Sequence, residues 1–159
     1  PTMQHSTALA LSLAALLPAT LAPAAADARE VSLSTTLNNY GGEGAYLAIY
    51  VTDAAGAYQG TLWLAGGKSK WWPHLADWHR ATGGAVPDGV TGASVGAGRT
   101  LDVTVDLADA LFDAGYQIRI DSSVEDMGDA PADVVAELTS AGAGKPVPGN
   151  GYVQSLTYR

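Results

Sequence analysis

From Thr100 to Leu107 the chain reads Thr-Leu-Asp-Val-Thr-Val-Asp-Leu, with an apolar residue at every second position. Successive side chains of a strand point to opposite faces, so this run predicts a strand with one face buried and one face wet. Six other short runs favour strands: Val31 to Leu37, Ala45 to Thr52, Tyr58 to Leu64, Tyr116 to Asp121, Asp133 to Leu138 and Tyr152 to Tyr158. Gly, Pro, Asn and Asp separate them, and Asp53-Ala54-Ala55-Gly56 reads as a hairpin turn with Gly56 supplying positive φ. Seven short strands with frequent turns predict an all-β fold, an immunoglobulin-like β-sandwich. One helix interrupts it. Over Lys70 to Arg80, Trp71, Leu75 and Trp78 fall at i, i+4 and i+7 on one face, with Pro73 in the first turn. Residues 81–98 then form a long Gly-rich loop with no core pattern, the kind of segment that carries function or is disordered.

The 159 residues suit one domain. Near the N-terminus, Gln4-His5-Ser6-Thr7 precedes an apolar run from Ala8 to Leu17, a stretch bounded by Pro18 and Pro23, and the small-residue end Ala24-Ala25-Ala26-Asp27-Ala28. That order predicts a secretory signal peptide over residues 1–28, cleaved just before Arg29, its apolar run too short to span a bilayer. The expectation is a periplasmic protein with a single domain over residues 29–159 and peripheral or no membrane contact. Cysteine is absent, which excludes disulfides, thiolate metal sites, Cys-x-x-Cys-His haem attachment and iron–sulfur clusters. The net charge of −8, with Lys and Arg scattered, argues against nucleic acid as a partner. A redox role therefore has to borrow a cofactor that needs no thiol.

Within residues 81–98 stands Asp88-Gly89-Val90-Thr91-Gly92-Ala93-Ser94, which fits the pattern D-x-x-[ST]-G-A-[ST]. It resembles the acceptor motif of substrates of the FAD:protein FMN transferase. The resemblance implies FMN joined covalently to Ser94 through a phosphoester, with Thr91 as the second choice of acceptor and Asp88, Gly89, Gly92 and Ala93 completing the site. The residue types suit that chemistry. Phosphoryl transfer needs the acceptor oxygen in line with the diphosphate and its metal, hence an exposed segment with small neighbours, which Gly92 and Ala93 provide. Asp88 is placed to orient the loop through backbone N–H groups. The plainer reading is an unmodified turn in a chain rich in Gly and Ala.

From about Val31 onward the chain also resembles the predicted periplasmic family called domain of unknown function 2271. The matching features are the early paired strands, Trp71-Trp72-x-x-Leu75-x-x-Trp78, the D-x-x-T-G-A-S loop followed by a strand, and a closing strand at Gly151-Tyr152. The resemblance implies a flavinylated electron carrier working beside a membrane electron donor of the PepSY type, in systems tied to ferric siderophore reduction. Trp71, Trp72 and Trp78 are candidates to flank the isoalloxazine ring, with core packing as the blander role. His74 and His79, five apart, do not share a helix face as paired metal ligands do, and read as surface residues. Asp121, Glu125, Asp126 and Asp129 lack the spacing of a calcium loop and read as a solvated acidic loop. The absence of G-x-S-x-G and H-E-x-x-H argues against a stand-alone hydrolase. The competing functional reading is an unmodified β-sandwich that binds a partner through the Gly-rich loop.

Overall fold

The computed structural model describes residues 27–159, so residues 1–26 of the expected signal peptide lie outside the described residues. The strands are β1 (Ala28–Leu37), β2 (Tyr46–Thr52), β3 (Tyr58–Ala65), β4 (Thr91–Gly92), β5 (Thr100–Ala108), β6 (Gln117–Val124), β7 (Gly128–Glu137), β8 (Val147–Pro148) and β9 (Val153–Tyr158), with one α-helix, α1 (Ala76–Thr82). They form two sheets, ordered β5-β1-β9-β8 and β4-β3-β2-β6-β7. The fold is thus an all-β two-layer sandwich with one short helix, as the alternation predicts. β1 shows why: Val31, Leu33, Thr35 and Leu37 are buried while the residues between them are more exposed. Against them β6 contributes Ile118 and Ile120 and β7 contributes Val134 and Ala136, while β9, beside β1 in its own sheet, adds Leu156 and Tyr158.

In β2, alternation gives way to burial along nearly the whole strand. Leu47, Ile49 and Val51 enter the sandwich core, whereas Ala48 and Tyr50 face outward into a second core with Leu64, Leu75 and Trp78. A strand covered on both faces reads as a continuous apolar run.

The helix that covers the outer face differs from the one expected over residues 70–80. A 3₁₀ turn spans Ser69–His74, the chain leaves helical geometry at Leu75 (φ −86°, ψ 72°), and α1 starts after it. The apolar face therefore repeats every three residues: Trp72, Leu75 and Trp78 meet in the second core, and Trp71 points elsewhere. A 3₁₀ turn has 3.0 residues per turn rather than 3.6, which moves the seam by one residue.

Asp121 corrects a second expectation. It belongs to no solvated loop but is fully buried in β6 beneath α1. Its carboxylate accepts the Trp78 N–H at 2.7 Å, the Tyr50 hydroxyl at 3.0 Å and the Ala132 N–H at 2.9 Å. The N-cap position of α1 is Leu75, which offers no side-chain oxygen, so Asp121 supplies from the sheet the acceptor and negative charge that a helix start favours. Asp133 is the second buried carboxylate. It accepts from Ser122 Oγ at 2.6 Å and from the N–H groups of Asn150, Gly151 and Val153 at 2.8, 2.7 and 3.0 Å, tying β6 and β7 to the opposite sheet.

Residues 81–98 are not the free loop expected. Ala81 and Thr82 close α1, and Thr91–Gly92 pair with β3 in parallel as an edge strand. Val95 is buried and exchanges two backbone hydrogen bonds with Ala45, at 2.7 and 2.9 Å. Backbone groups beside a sheet edge find partners there, even in a segment too short and too small to show a strand pattern.

Candidate functional site

The site is built at one end of the five-stranded sheet, where β2 and β7 start and β3 and β6 finish. There the chain encloses a cavity of about 410 Å³, within the range of small-molecule sites. One wall is Tyr46, Lys68, Trp71 and His74, contributed by the start of β2 and the 3₁₀ turn. The other is the β6–β7 hairpin, from Ser123 to Asp129. Ser94 and Gly44 complete the lining, with Glu43 beside them.

Ser94 is exposed and held from both sides. On its N-terminal flank the carbonyls of Val90 and Gly92 accept from the N–H groups of Leu64 and Gly66, each at 2.8 Å, and on its C-terminal flank Val95 is bridged to Ala45. Its hydroxyl packs against Gly44, where a Cβ would stand 2.7 Å from Ser94 Oγ. The approach requires a residue without a side chain at that point. Gly92 answers a similar demand: a Cβ there would lie 2.6 Å from Cζ2 of Trp63. Motif residues Gly92 and Ala93 thus thread between the Trp63 indole and the surface, the one half-buried and the other exposed.

The other expected site residues divide between cavity and periphery. Asp88 and Gly89 form an exposed turn before β4, Gly89 at φ 79°, and Thr91 is exposed on the edge strand. None of these three lines the cavity, although all flank the segment that leads to it. Trp71 does line it, half-buried, with the Lys70 ammonium 4.9 Å from the ring centroid. Trp72 does not: its Nε1–H donates to the Gly66 carbonyl at 3.0 Å and its ring packs edge-on to Trp78, 6.1 Å away. Trp78 is fully buried and belongs to the second core.

The acidic hairpin and His74 were not read from the sequence as parts of one site. Glu125, Asp126 and Asp129 rim the cavity, and Asp126 takes the left-handed conformation (φ 63°) that turns the hairpin. His74 packs on Trp71, with centroids 5.9 Å apart, and its Nδ1 lies 3.0 Å from Asp129 Oδ1. No spacing signal joins residues 74 and 129; only the sheet brings them together. Behind the hairpin, burial raises the Tyr152 hydroxyl above the ordinary tyrosine range, with Asp129 and Asp133 adding to the effect. Among the described residues, no cluster of three or more His, Cys, Asp or Glu side chains is arranged to hold a metal ion, and no helix is long and apolar enough to cross a membrane.

No curated protein and no solved structure matches the chain. A family model does match, over residues 28–155, spanning both sheets and every element of the cavity; the chain belongs to the family DUF2271, described as a predicted periplasmic protein.

Proposed function

We propose that this protein is an exported electron carrier bearing FMN as a phosphoester on Ser94. In this reading the transferase breaks the diphosphate of FAD, joins the FMN phosphorus to Ser94 Oγ and releases AMP. One observation supports it above the others: the acceptor hydroxyl of the D-x-x-[ST]-G-A-[ST] motif opens into a cavity of about 410 Å³ walled by the half-exposed indole of Trp71. The residues present fit a planar aromatic group tethered there. Gly44 leaves room at the hydroxyl, Trp71 and His74 offer flat faces, and Lys68 offers a cation for a phosphate oxygen.

Bound FMN supplies the redox chemistry, and the chain positions and tunes it. Trp71 excludes water from one side of the cavity. Glu43, Glu125, Asp126 and Asp129 surround it with negative charge, which disfavours an anionic reduced flavin and lowers the potential. Covalent attachment keeps the cofactor at full occupancy outside the cytoplasm, whatever its free concentration. The donor in this proposal is a membrane protein of the PepSY type, and the electrons pass to an extracytoplasmic acceptor, as in systems that reduce ferric siderophores or ferric iron.

Intact mass decides the attachment. Exported with the transferase, wild type and Thr91→Ala gain one FMN less one water, and Ser94→Ala gains nothing. An unmodified wild type, beside a transferase shown active on another substrate, removes the flavin reading and leaves a cavity for an unattached ligand.

A further inference from the structure

His74 has a geometry that the acceptor motif does not require. Its Nδ1 stands 3.0 and 3.2 Å from the two carboxylate oxygens of Asp129, and Asp129 is itself held by Ser123 Oγ, which donates to Oδ1 at 2.7 Å. An ionised carboxylate only accepts, so Nδ1 carries the hydrogen. The neutral ring is then the Nδ1–H tautomer, and its Nε2 presents a lone pair. The structure shows no hydrogen bond to Nε2 among the described residues, and half of the side chain is exposed. Trp71 packs beside the ring, and turning the imidazole over would forfeit both Asp129 contacts.

The surroundings explain why a proton is needed in this cavity. The carboxylates of Glu43, Glu125, Asp126 and Asp129 face it, against the single ammonium of Lys68, with Lys70 turned onto the Trp71 ring. Electrons entering such a site alone would add negative charge where four carboxylates already repel it. A proton that arrives with the electron pair offsets one of the two negative charges and so lessens the penalty.

We propose that Nε2 of His74 exchanges a proton with the group carried on Ser94 during its reduction and reoxidation, and that Asp129 is the positioning residue that aims it. This inference rests on the flavin reading of the cavity. The membrane donor supplies two electrons and loses them; the imidazolium supplies one proton to the flavin and becomes neutral imidazole. Solvent restores that proton through the exposed half of the ring. When the extracytoplasmic acceptor withdraws the electrons, the proton returns to Nε2 or to water, so charge and protons balance over the cycle.

The test begins by verifying FMN loading from intact mass in wild type, His74→Gln and Asp129→Asn, after which the midpoint potential of each is followed between pH 5 and 8 through the flavin absorbance. The wild-type profile is expected to differ in slope from that of His74→Gln within that range. Asp129→Asn is expected to lie between the two. A purely structural contact between the 3₁₀ turn and the hairpin would leave the profile unmoved, so loaded variants that superpose on wild type overturn the inference while the flavin reading stands. A wild type that takes no FMN overturns both. Independently of loading, ¹⁵N spectra of the unloaded protein are expected to show neutral His74 protonated at Nδ1, and protonation at Nε2 alone would also overturn the proposal.

Discussion

At the scale of single residues, Gly92 serves two purposes with one missing side chain. It keeps the neighbourhood of Ser94 small, and it leaves room for Trp63, whose Cζ2 a Cβ would approach to 2.6 Å. Gly92→Ala should therefore push β4 off β3 or displace the indole, costing about 1–3 kcal/mol as overpacking does. A lowered urea midpoint checks that cost, and under the flavin proposal intact mass is expected to show reduced FMN loading although Ser94 is unchanged. Asp133 carries a heavier load. Its two oxygens accept three backbone N–H groups and one hydroxyl in a buried setting, so Asp133→Ala leaves several donors without partners. The expected loss is about 3 kcal/mol or more, against about 1 kcal/mol for Ser122→Ala, which removes one of the four bonds. Chemical denaturation of the two variants separates the values.

At the scale of elements, the 3₁₀ turn decides which aromatic serves the core and which serves the cavity. Leu75 is fully buried in the second core, so Leu75→Ala is expected to cost roughly 2–5 kcal/mol. Trp71 lies outside that core, so Trp71→Ala should change stability by less than about 1 kcal/mol while altering the absorbance of any flavin on Ser94. Melting temperatures of the unloaded variants provide the comparison. The same element marks the limit of what the sequence discloses. Period-2 runs such as Thr100 to Leu107 announce their strands because one side faces water throughout. Helical residues 70–80 announce a helix, yet Pro73 and the break at Leu75 convert the i, i+4, i+7 seam of Trp71 into the i, i+3, i+6 seam of Trp72. Strands β4 and β8, two residues each, are too short to carry any period. Asp121 looks solvated in the sequence because the groups that satisfy it, Tyr50, Trp78 and Ala132, come from three distant places. For the candidate site, the sequence singles out Ser94 and Trp71, which the structure places on one cavity; the hairpin wall and the His74–Asp129 pair depend on long-range pairing.

At the scale of the whole molecule, the second core links stability to alkaline pH. Burial raises the Tyr50 hydroxyl far above the ordinary tyrosine value of 10.0, and the charge of Asp121 adds to the shift. The folded state thus keeps a proton that the unfolded chain releases. That contribution is fully present below about pH 10 and declines as pH rises above it, because the unfolded state then gains by ionising. Burial raises the Tyr40 hydroxyl in the same direction. Thermal denaturation from pH 8 to 11 should show wild type losing stability more steeply above pH 10 than Tyr50→Phe, although the variant starts lower because Asp121 loses one hydrogen-bond donor.

The two backbone anchors around Ser94 also bear on how a cargo carried there, as proposed, would meet its partners. Gly92 is fastened to Gly66 and Val95 to Ala45, leaving only Ala93 and Ser94 between the pins. The attachment point of a cofactor on that hydroxyl would therefore be fixed in the backbone, unlike that of one on a swinging arm that shuttles between stations. If the chain carries electrons as proposed, donor and acceptor would each travel to the same doorway in turn, and traffic would be set by two successive encounters with one acidic entrance, whose rates added salt should alter.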